Sequence, residues 1–440
     1  MAKSSRGGQT PEDPGDREAS ICRILEQVER KLRKDFNDEA VTLDEIEDNS
    51  EEIGEAVKRL VNEEALRKRQ GKDAQQAHAA RCGCCRRKAR YVERRPRQIV
   101  LRSGVIRICR AYYHCKACGT GFAPLDQLLG IGRGACSRRV AALIARLSCY
   151  LPDRLVAQEL EQSFGLRLAI STVQRYSRSV GAAMERQWRA QAIQDVSSLP
   201  VSSERPSRLH VTMDGVMLHV DGRWQEAKLG SAYQTTPSGH ATKARYYATM
   251  ARSRPFGRRL RVLAHRSGAD RCRDVATIGD GADWIWQEVG KHFPQSTQVL
   301  DYFHVVEHLW EAARLRFGEG SAAAAEWMKE QKASLLEDKV DAVIASVSTW
   351  RPRKHEKLTV RRRLLAFLAE HRHRIQYKTL ADAGYHIGSG VAESGCKNVV
   401  QIRMKRAGMR WSNDGADRML HLCAWFASHD RPSLDHYVRW

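Results

Sequence analysis

The sequence lacks the features of a membrane or exported protein. Its 440 residues contain no apolar run of the ~18 residues that a membrane-spanning helix needs, and the mean hydropathy is −0.54. The first twenty residues have no apolar signal core, so no export signal is predicted. A disulfide framework is not expected either, because the twelve cysteines occur without a secretory signal. Reduced thiols or metal ligands are their predicted roles.

Acidic residues are scarce relative to basic ones. The chain has 74 Lys and Arg against 52 Asp and Glu, a formal net charge of +22. Such an excess predicts a polyanionic partner, most simply nucleic acid. One acidic stretch, 35–52, stands apart. It is compatible with a solvated helix face, a subunit contact or an internal mask over basic surface.

The N-terminal region is predicted to be a tail followed by helices. Residues 1–16 are rich in Gly, Ser and Pro and are expected to be disordered. Apolar residues then recur at helical spacing from Ile21 to about Arg69, which predicts two or three amphipathic helices. Residues 71–80 are predicted to be a linker. The length and a hydrophobic content of 42% allow two or three domains with folded cores.

Two Cys-x-x-Cys pairs bracket a predicted β-hairpin. The β-prone runs 98–101 and 105–113 are separated by Ser103-Gly104, a turn signal. A hairpin between the pairs brings four thiolates together, and thiolates suit tetrahedral zinc. The predicted structural Zn²⁺ ligands are Cys82, Cys85, Cys115 and Cys118. Cys84 would replace Cys85 only in a changed knuckle, and Cys109 is assigned to a strand.

Arginines crowd the segment between the two cysteine pairs. This density predicts a surface that contacts DNA phosphates. The candidate residues are Arg86, Arg87, Arg90, Arg94, Arg95 and Arg97.

The region from Ser137 to Gly181 has the pattern of a helix-turn-helix. A helical run ends at Gly165, and a second, Ser-capped helix follows. Its polar face would offer four side chains to a DNA major groove: Thr172, Gln174, Arg175 and Arg178. A plain helical hairpin is the alternative, and the basic context favours DNA binding.

One acidic residue, Asp214, interrupts an apolar run that otherwise predicts a buried strand. An unpaired carboxylate in such a run costs several kcal/mol. Asp214 therefore either binds a metal or opens a turn with Gly215, because Asp-Gly is a common turn dipeptide. A second short strand ends in Asp280, and Glu393 lies at the start of a basic helix. Two aspartates and a glutamate are the side chains that a two-metal phosphoryl-transfer site needs.

Two divalent ions ~3.5–4 Å apart can activate a hydroxyl and stabilise a leaving oxygen. Carboxylates favour Mg²⁺ or Mn²⁺. Asp214 would bridge two such ions, while Asp280 and Glu393 would hold one each. Three other carboxylates compete by position: Asp283, Asp301 and Glu307. No Ser or Tyr nucleophile motif is evident, which fits chemistry without a covalent enzyme intermediate.

The helix that carries Glu393 also carries basic residues. Ser389 is predicted to cap its start. Lys397, Arg403 and Lys405 would follow a DNA backbone beside the metals. Trp411 is a candidate stacking residue, with core packing as the alternative.

Several motifs occur in order along the chain: Val211–Val216, Ile278–Trp286, Leu300–Val305, Gly388–Lys397, Arg403–Lys405 and Met409–Ser412. Together they resemble the transposases of bacterial insertion sequences of the Kra type, which are similar to the Mutator-like branch of the DDE transposases. The resemblance covers roughly Arg81 to Ser428. It implies an RNase H-like core with Asp214, Asp280 and Glu393 as metal ligands. It relates Asp301-Tyr-Phe-His304 to the acidic/Cys-x-x-His signature of that branch, so that His304 either contacts the scissile phosphate region or is a structural histidine.

The expected fold class is multidomain α+β. An α/β RNase H-like catalytic core with an all-α insertion would follow a zinc ribbon and a helix-turn-helix domain. The expected boundaries are 1–20 for a disordered tail, 21–80 for a helical region, 81–126 for the zinc-ribbon-like module, 127–190 for the helix-turn-helix domain, 207–311 and 381–440 for the two parts of the core, and 312–380 for the insertion.

The resemblance and the motifs lead to one expected function, a DNA transposase of an insertion sequence. It would bind terminal inverted repeats, free a 3′-hydroxyl and join it to target double-stranded DNA. A dimer or larger assembly on DNA in the bacterial cytoplasm is expected, because two ends must be held together. The alternatives are a catalytically silent, transposase-derived DNA-binding regulator and another RNase H-like nuclease.

Overall fold

The computed structural model describes residues 41–75, 80–132, 134–200, 202–236 and 238–438, together with residues 22, 25–26, 28–30 and 32–33. The predicted disordered tail and most of the first predicted helix lie outside them. The described residues form helices and two β-sheets, which confirms the α+β class. Contacts divide them into two units. Unit 1 holds the described residues up to 143 together with 157–168, and unit 2 holds 144–156 and 169–438.

Unit 1 contains a single long helix, α1 (Leu43–Gln75). Thr42 and Glu45 form a reciprocal capping box at its start. The Thr42 hydroxyl accepts from the Glu45 N–H at 3.3 Å, and the Glu45 carboxylate accepts from the Thr42 N–H at 3.0 Å. The helix continues over 71–75, so the linker prediction is wrong there.

The sheet of unit 1 is antiparallel, with its strands in chain order. They are β1 (Ala80–Arg81), β2 (Lys88–Leu101), β3 (Gly104–His114) and β4 (Gly121–Phe122). β2 and β3 confirm the predicted hairpin. Its two-residue loop is Arg102–Ser103, one position earlier than predicted, because Gly104 already belongs to β3 with a φ of 104°. Ile99, Ile106 and Ile108 form a small core on this hairpin.

The region predicted to hold a helix-turn-helix is helical. After α2 (Pro124–Leu128) come α3 (Arg138–Ser148), α4 (Asp153–Phe164) and α5 (Ile170–Ile193). The chain between α4 and α5 passes through Gly165, whose φ is 61°. The N-cap of α5 is Ala169, and no side chain caps the helix, so the predicted serine cap is wrong.

The sheet of unit 2 has five strands in the order β7-β6-β5-β8-β9. They are β5 (Arg208–Val220), β6 (Arg223–Thr235), β7 (Ala241–Thr249), β8 (Asp274–Gly279) and β9 (Thr297–Leu300). The first three form an antiparallel meander, and β8 and β9 run parallel to β5. The Asp-Gly dipeptide at 221–222 predicts a tight turn, and Asp221–Gly222 makes this turn between β5 and β6, with φ values of 49° and 75°. β5 is continuous through Asp214–Gly215, so the turn alternative is wrong.

Helices surround this sheet and fill the chain after β9. They are α6 (Ser253–Arg266), α7 (Asp283–His292), α8 (Tyr302–Phe317), α9 (Ala322–Leu335), α10 (Val340–Thr349), α11 (His355–Glu370), α12 (Tyr377–Asp382), α13 (Gly390–Gly395), α14 (Ile402–Met404) and α15 (Asn413–Ala427). Val211 and Met213 of β5 share one core with Phe256 and Leu260 of α6. A second core joins α8 to α12. None of the described helices has the length and apolar content needed to cross a bilayer.

Candidate functional site

A cavity of about 530 Å³ lies at one edge of the five-stranded sheet of unit 2. Three aspartates reach it from adjacent parallel strands. The register pairs Thr212 with Ile278, which places Asp214 beside Asp280 two residues further along each strand. The pairing of Gly279 with Leu300 likewise places Asp280 beside Asp301. Side chains at the carboxyl ends of parallel strands share one edge of a sheet, which is a common place for ligands.

Asp214 stands at one end of this row, in β5, and is partly buried. Its Oδ1 accepts from the Gly215 N–H at 2.6 Å, and its Oδ2 accepts from the Cys396 thiol at 3.0 Å. Burial raises the pKa of Asp214, and the nearby charges of Asp280 and Asp301 raise it further. A bound cation would remove this penalty on the charged form.

Asp280 stands where β8 turns into α7. Its Oδ1 accepts from the Ala282 N–H at 3.0 Å. Gly281 has a φ of 97°, and a Cβ there would lie 2.5 Å from Cε2 of Phe367 in α11. Glycine is therefore required after Asp280 both by backbone conformation and by space.

Asp301 is buried, with 4% of its surface exposed, and its oxygens are already used. Oδ1 caps α8 by accepting from the N–H groups of Phe303 at 2.7 Å and His304 at 3.4 Å. Oδ2 accepts from the Ser389 N–H at 3.1 Å and from the Ser389 hydroxyl. Ser389 is the N-cap residue of α13, yet its hydroxyl binds Asp301 and makes no cap bond, so that predicted role is wrong.

Glu393 lines the same cavity from α13 and is exposed. The helix that carries it lies directly on the sheet, since a Cβ at Gly395 would come within 2.8 Å of both Leu229 and Tyr246. The helical turns continue as a π-helical segment, Cys396–Gln401. This places all three predicted metal ligands around one cavity, although their oxygens do not converge tightly enough to form a shared ligand cluster among the described residues.

His304 also lines the cavity. Its Nε2 lies 3.1 Å from Nε2 of His308, and its Nδ1 lies 3.7 Å from the Glu307 carboxylate. One imidazole therefore donates to the other. His304 is held on α8 in a position from which it faces the cavity.

The four predicted cysteines come together in unit 1. Their Sγ atoms all lie within 4.8 Å of one another, with Cys82 and Cys118 at 3.5 Å and Cys85 and Cys115 also at 3.5 Å. The sulfurs of a tetrahedral zinc site, each ~2.3 Å from the ion, would be about 3.8 Å apart. The cluster could thus hold a metal ion such as zinc. Thr120 lowers the pKa of Cys118 to about 6 through hydrogen bonds to its sulfur.

The arginines near this cluster differ in their surroundings. Arg86, Arg87, Arg90 and Arg94 are exposed. Arg95 pairs with Glu93 at 2.6 Å and lies over the Tyr112 ring. Arg97 is turned inward: its guanidinium pairs with Asp126 at 2.8 Å and donates to the backbone carbonyl of Gly134 at 2.5 Å. Arg97 thus holds the loop after α2, and its guanidinium is largely shielded.

The remaining predicted DNA contacts lie in unit 2. On α5, Val173, Tyr176 and Val180 are buried, and four side chains lie outside this buried face: Thr172, Gln174, Arg175 and Arg178. Lys397 and Lys405 are exposed.

Arg403 and Trp411 have internal partners. Arg403 is 2% exposed, donates to the Ser148 carbonyl at 2.8 Å and lies over the Trp411 ring. Trp411 is partly buried and donates from Nε1 to the Met404 carbonyl at 3.1 Å. Arg403 is therefore a packing residue at the end of the Glu393 helix, and the core-packing alternative describes the contacts of Trp411.

Comparison with known proteins gives one family. A protein-family model described as an uncharacterised protein family, UPF0236, matches residues 38–431. A search of curated proteins finds no match.

Proposed function

We propose that this chain, which belongs to the uncharacterised family UPF0236, is a DNA transposase with an RNase H-like catalytic core. One observation carries the proposal. Asp214 and Asp280 lie side by side on adjacent parallel strands, and Glu393 reaches the same cavity from a helix far along the chain. An antiparallel meander followed by two parallel strands supports the RNase H-like assignment.

The donor set fits two Mg²⁺ or Mn²⁺ ions. All three ligand candidates are carboxylates, which hard cations prefer. The raised pKa of Asp214 indicates that the protein alone does not fully offset the cost of burying its charged form. Asp214 would contact both ions, with Asp280 and Glu393 on one each. The ions would supply activation of the attacking hydroxyl and charge stabilisation at the leaving oxygen.

Other residues of the cavity would position these ligands. Asp301 joins the start of α8 to the start of the Glu393 helix through its bonds to His304 and Ser389. Each oxygen of Asp301 already accepts two hydrogen bonds, whereas each oxygen of Asp214 accepts one, so Asp301 would hold the two helix starts in place and would not bind an ion. His304 lines the cavity with its Nε2 held by His308, so its imidazole would lie near a phosphate bound there.

DNA binding would use both units. In unit 1 a structural zinc ion would fix the knuckles, and the exposed arginines beside them would contact phosphates. In unit 2 the exposed polar face of α5 would read bases as the second helix of a helix-turn-helix. Lys397 and Lys405 would follow the backbone near the cavity. Two DNA ends must be held together, so we expect a dimer or larger assembly on DNA.

A strand-transfer assay with DNA that carries the element's ends and Mg²⁺ tests the proposal. Asp214→Ala should lower the rate at least about a hundredfold, since several kcal/mol of transition-state stabilisation depends on the metals and 1.36 kcal/mol is tenfold in rate. The matched control is Asp221→Ala, which changes an aspartate in the turn that follows the same strand. Activity that survives in Asp214→Ala would remove the triad from the mechanism.

One alternative is a DNA-binding regulator derived from a transposase. Two observations favour it: Glu393 is exposed, and the described carboxylate oxygens do not form a close ligand cluster. It predicts specific binding of the ends by wild-type protein with no cleavage under any divalent ion. A nuclease of the same fold would instead cut without joining. The assay therefore reports cleavage and joining separately.

A further inference from the structure

Sequence reasoning missed one group at the cavity, the thiol of Cys396. It donates to Oδ2 of Asp214 at 3.0 Å, across 182 residues of chain. Cys396 is 6% exposed, and it does not line the cavity that Asp214 lines. The thiol therefore approaches the carboxylate from the protein interior and leaves the cavity side free for a ligand.

The position of Cys396 on its helix links two of the proposed ligands. It follows Glu393 by three residues, which is close to one helical turn, and it begins the π-helical segment. π-Helical turns are rare and occur mostly at functional sites. The adjacent Gly395 rests on Leu229 and Tyr246 of the sheet. The Glu393 helix is thus seated on the sheet at Gly395 and joined to β5 by the bond between Cys396 and Asp214.

Other buried thiols of unit 2 behave differently. Cys149 donates to the Ala145 carbonyl at 3.3 Å, and Cys423 contacts the Cys149 carbonyl at 3.7 Å. Both are 4% exposed, so their burial is close to that of Cys396. Their partners are backbone carbonyls and each other, whereas the partner of Cys396 is a carboxylate of the proposed metal site. Burial alone does not explain the choice of partner.

We propose that Cys396 is a positioning residue of the divalent-metal site: its thiol orients the Asp214 carboxylate and fixes the Glu393 helix against it. This rests on the proposed function, because it assigns Asp214 and Glu393 to the same pair of metal ions. A group that donates to a metal-binding carboxylate restricts its rotation and lowers the entropic cost of binding the ion. Loss of such a partner typically weakens metal affinity or activity about 10–100-fold.

The test measures Mn²⁺ binding by the full-length protein, by titration with water-proton relaxation, in three variants. Cys396→Ala removes the donor and should weaken Mn²⁺ binding about tenfold. Cys396→Ser keeps a donor and should recover most of the affinity. Cys423→Ala is the matched control, because it removes an equally buried thiol with a backbone partner, and its Mn²⁺ affinity should equal that of wild type.

The strand-transfer assay gives a second readout on the same variants. Cys396→Ala should raise the Mg²⁺ concentration for half-maximal rate about tenfold, with a smaller change in the rate at saturating Mg²⁺. Wild-type Mn²⁺ affinity in Cys396→Ala would overturn the inference and leave the proposed function standing. Equal losses of Mn²⁺ affinity in the Ala and Ser variants, together with lower melting temperatures, would show that Cys396 acts through packing and does not position Asp214. Absence of Mn²⁺ binding by wild type would overturn the metal site itself and with it both proposals.

Discussion

The four cysteines of unit 1 and the carboxylates of unit 2 are two ligand sets built in different ways. The sulfurs lie within 4.8 Å of one another, close enough to hold a metal ion. The carboxylates stand in a row along a sheet edge, and each is held by its own local hydrogen bond. The β2–β3 hairpin brings the two cysteine pairs together through its strand register. Ionised carboxylates repel one another, so we expect bound cations to draw the carboxylates of unit 2 closer together.

The largest expected effect on stability follows from removing one cysteine of the four-cysteine cluster. Cys115→Ser should release zinc, about one ion per chain, and destabilise the knuckles by several kcal/mol, because metal binding in such sites contributes folding free energy. Metal content by atomic emission and DNA-end binding measure it. Cys84→Ser is the control, since Cys84 lies in the other knuckle, between Cys82 and Cys85, is exposed and is not in the cluster. Unchanged zinc in Cys115→Ser would contradict the assignment.

A second test compares two aspartates of unit 2 under the same substitution. Burial would raise the pKa of Asp417, but His421 and the hydrogen bonds from Thr249 and Met250 outweigh it and lower the pKa. Asp417 therefore stabilises the fold above its unfolded pKa of about 3.9, and this contribution is lost as the pH falls. Asp417→Asn should cost about 1–3 kcal/mol at pH 7.

Asp214 should respond with the opposite sign. Burial and the charges of Asp280 and Asp301 raise its pKa. The contribution of Asp214 to the free energy of unfolding is therefore present below the unfolded pKa and is lost as the pH rises through the folded pKa. Asp214→Asn should therefore stabilise the metal-free protein at pH 7, by up to about 1 kcal/mol. Urea unfolding in buffer without added Mg²⁺ or Mn²⁺ measures both variants at equal zinc content. Destabilisation by both would show that Asp214 is already compensated.

Divalent cations should produce a moderate effect confined to unit 2. Mn²⁺ at ten times its dissociation constant should add about 1.4 kcal/mol to the stability of unit 2, because it binds the folded state. Hydrogen exchange resolves the two units, and protection should increase in β5 and β8. The same gain in Asp280→Asn would place the ion elsewhere.

The smallest effect is expected for Glu393. Its side chain is exposed, so Glu393→Gln should change the metal-free stability by less than about 0.5 kcal/mol. The added stability from Mn²⁺ should nevertheless fall. Chemical denaturation with and without Mn²⁺ measures this difference, and an unchanged Mn²⁺ effect would remove Glu393 from the site.

The sequence predicted best what local chemistry determines. The Cys-x-x-Cys spacing and the β-prone runs between the pairs predicted the hairpin that joins the cysteines, because register and knuckle geometry are short-range properties. The turn at Asp221–Gly222 was predicted for the same reason. Asp214 remained ambiguous, since Asp-Gly occurs in turns as well as in strands, and pairing with β6 keeps β5 continuous there.

Long-range partners explain what the sequence did not predict. Serine is a preferred helix-capping residue. The hydroxyl of Ser389 nevertheless binds Asp301, 88 residues earlier. Arg97 and Arg403 were grouped with surface arginines, yet Asp126 and the Ser148 carbonyl draw them inside. Cys396 gave one signal, its three-residue spacing from Glu393, and its partner Asp214 is visible only in the fold.

The left-handed backbone at Gly281 has a consequence for any attempt to shorten this protein. Phe367 of α11 fills the space where a side chain would be, so the helices after β9 form one wall of the Asp280 turn. A trimmed version that omits residues 322–382 would still contain every acidic residue of the triad. It would expose the turn beside Asp280 to solvent and remove the Phe367 contact that confines it, so the helical segment supports the proposed metal site and is not a removable accessory.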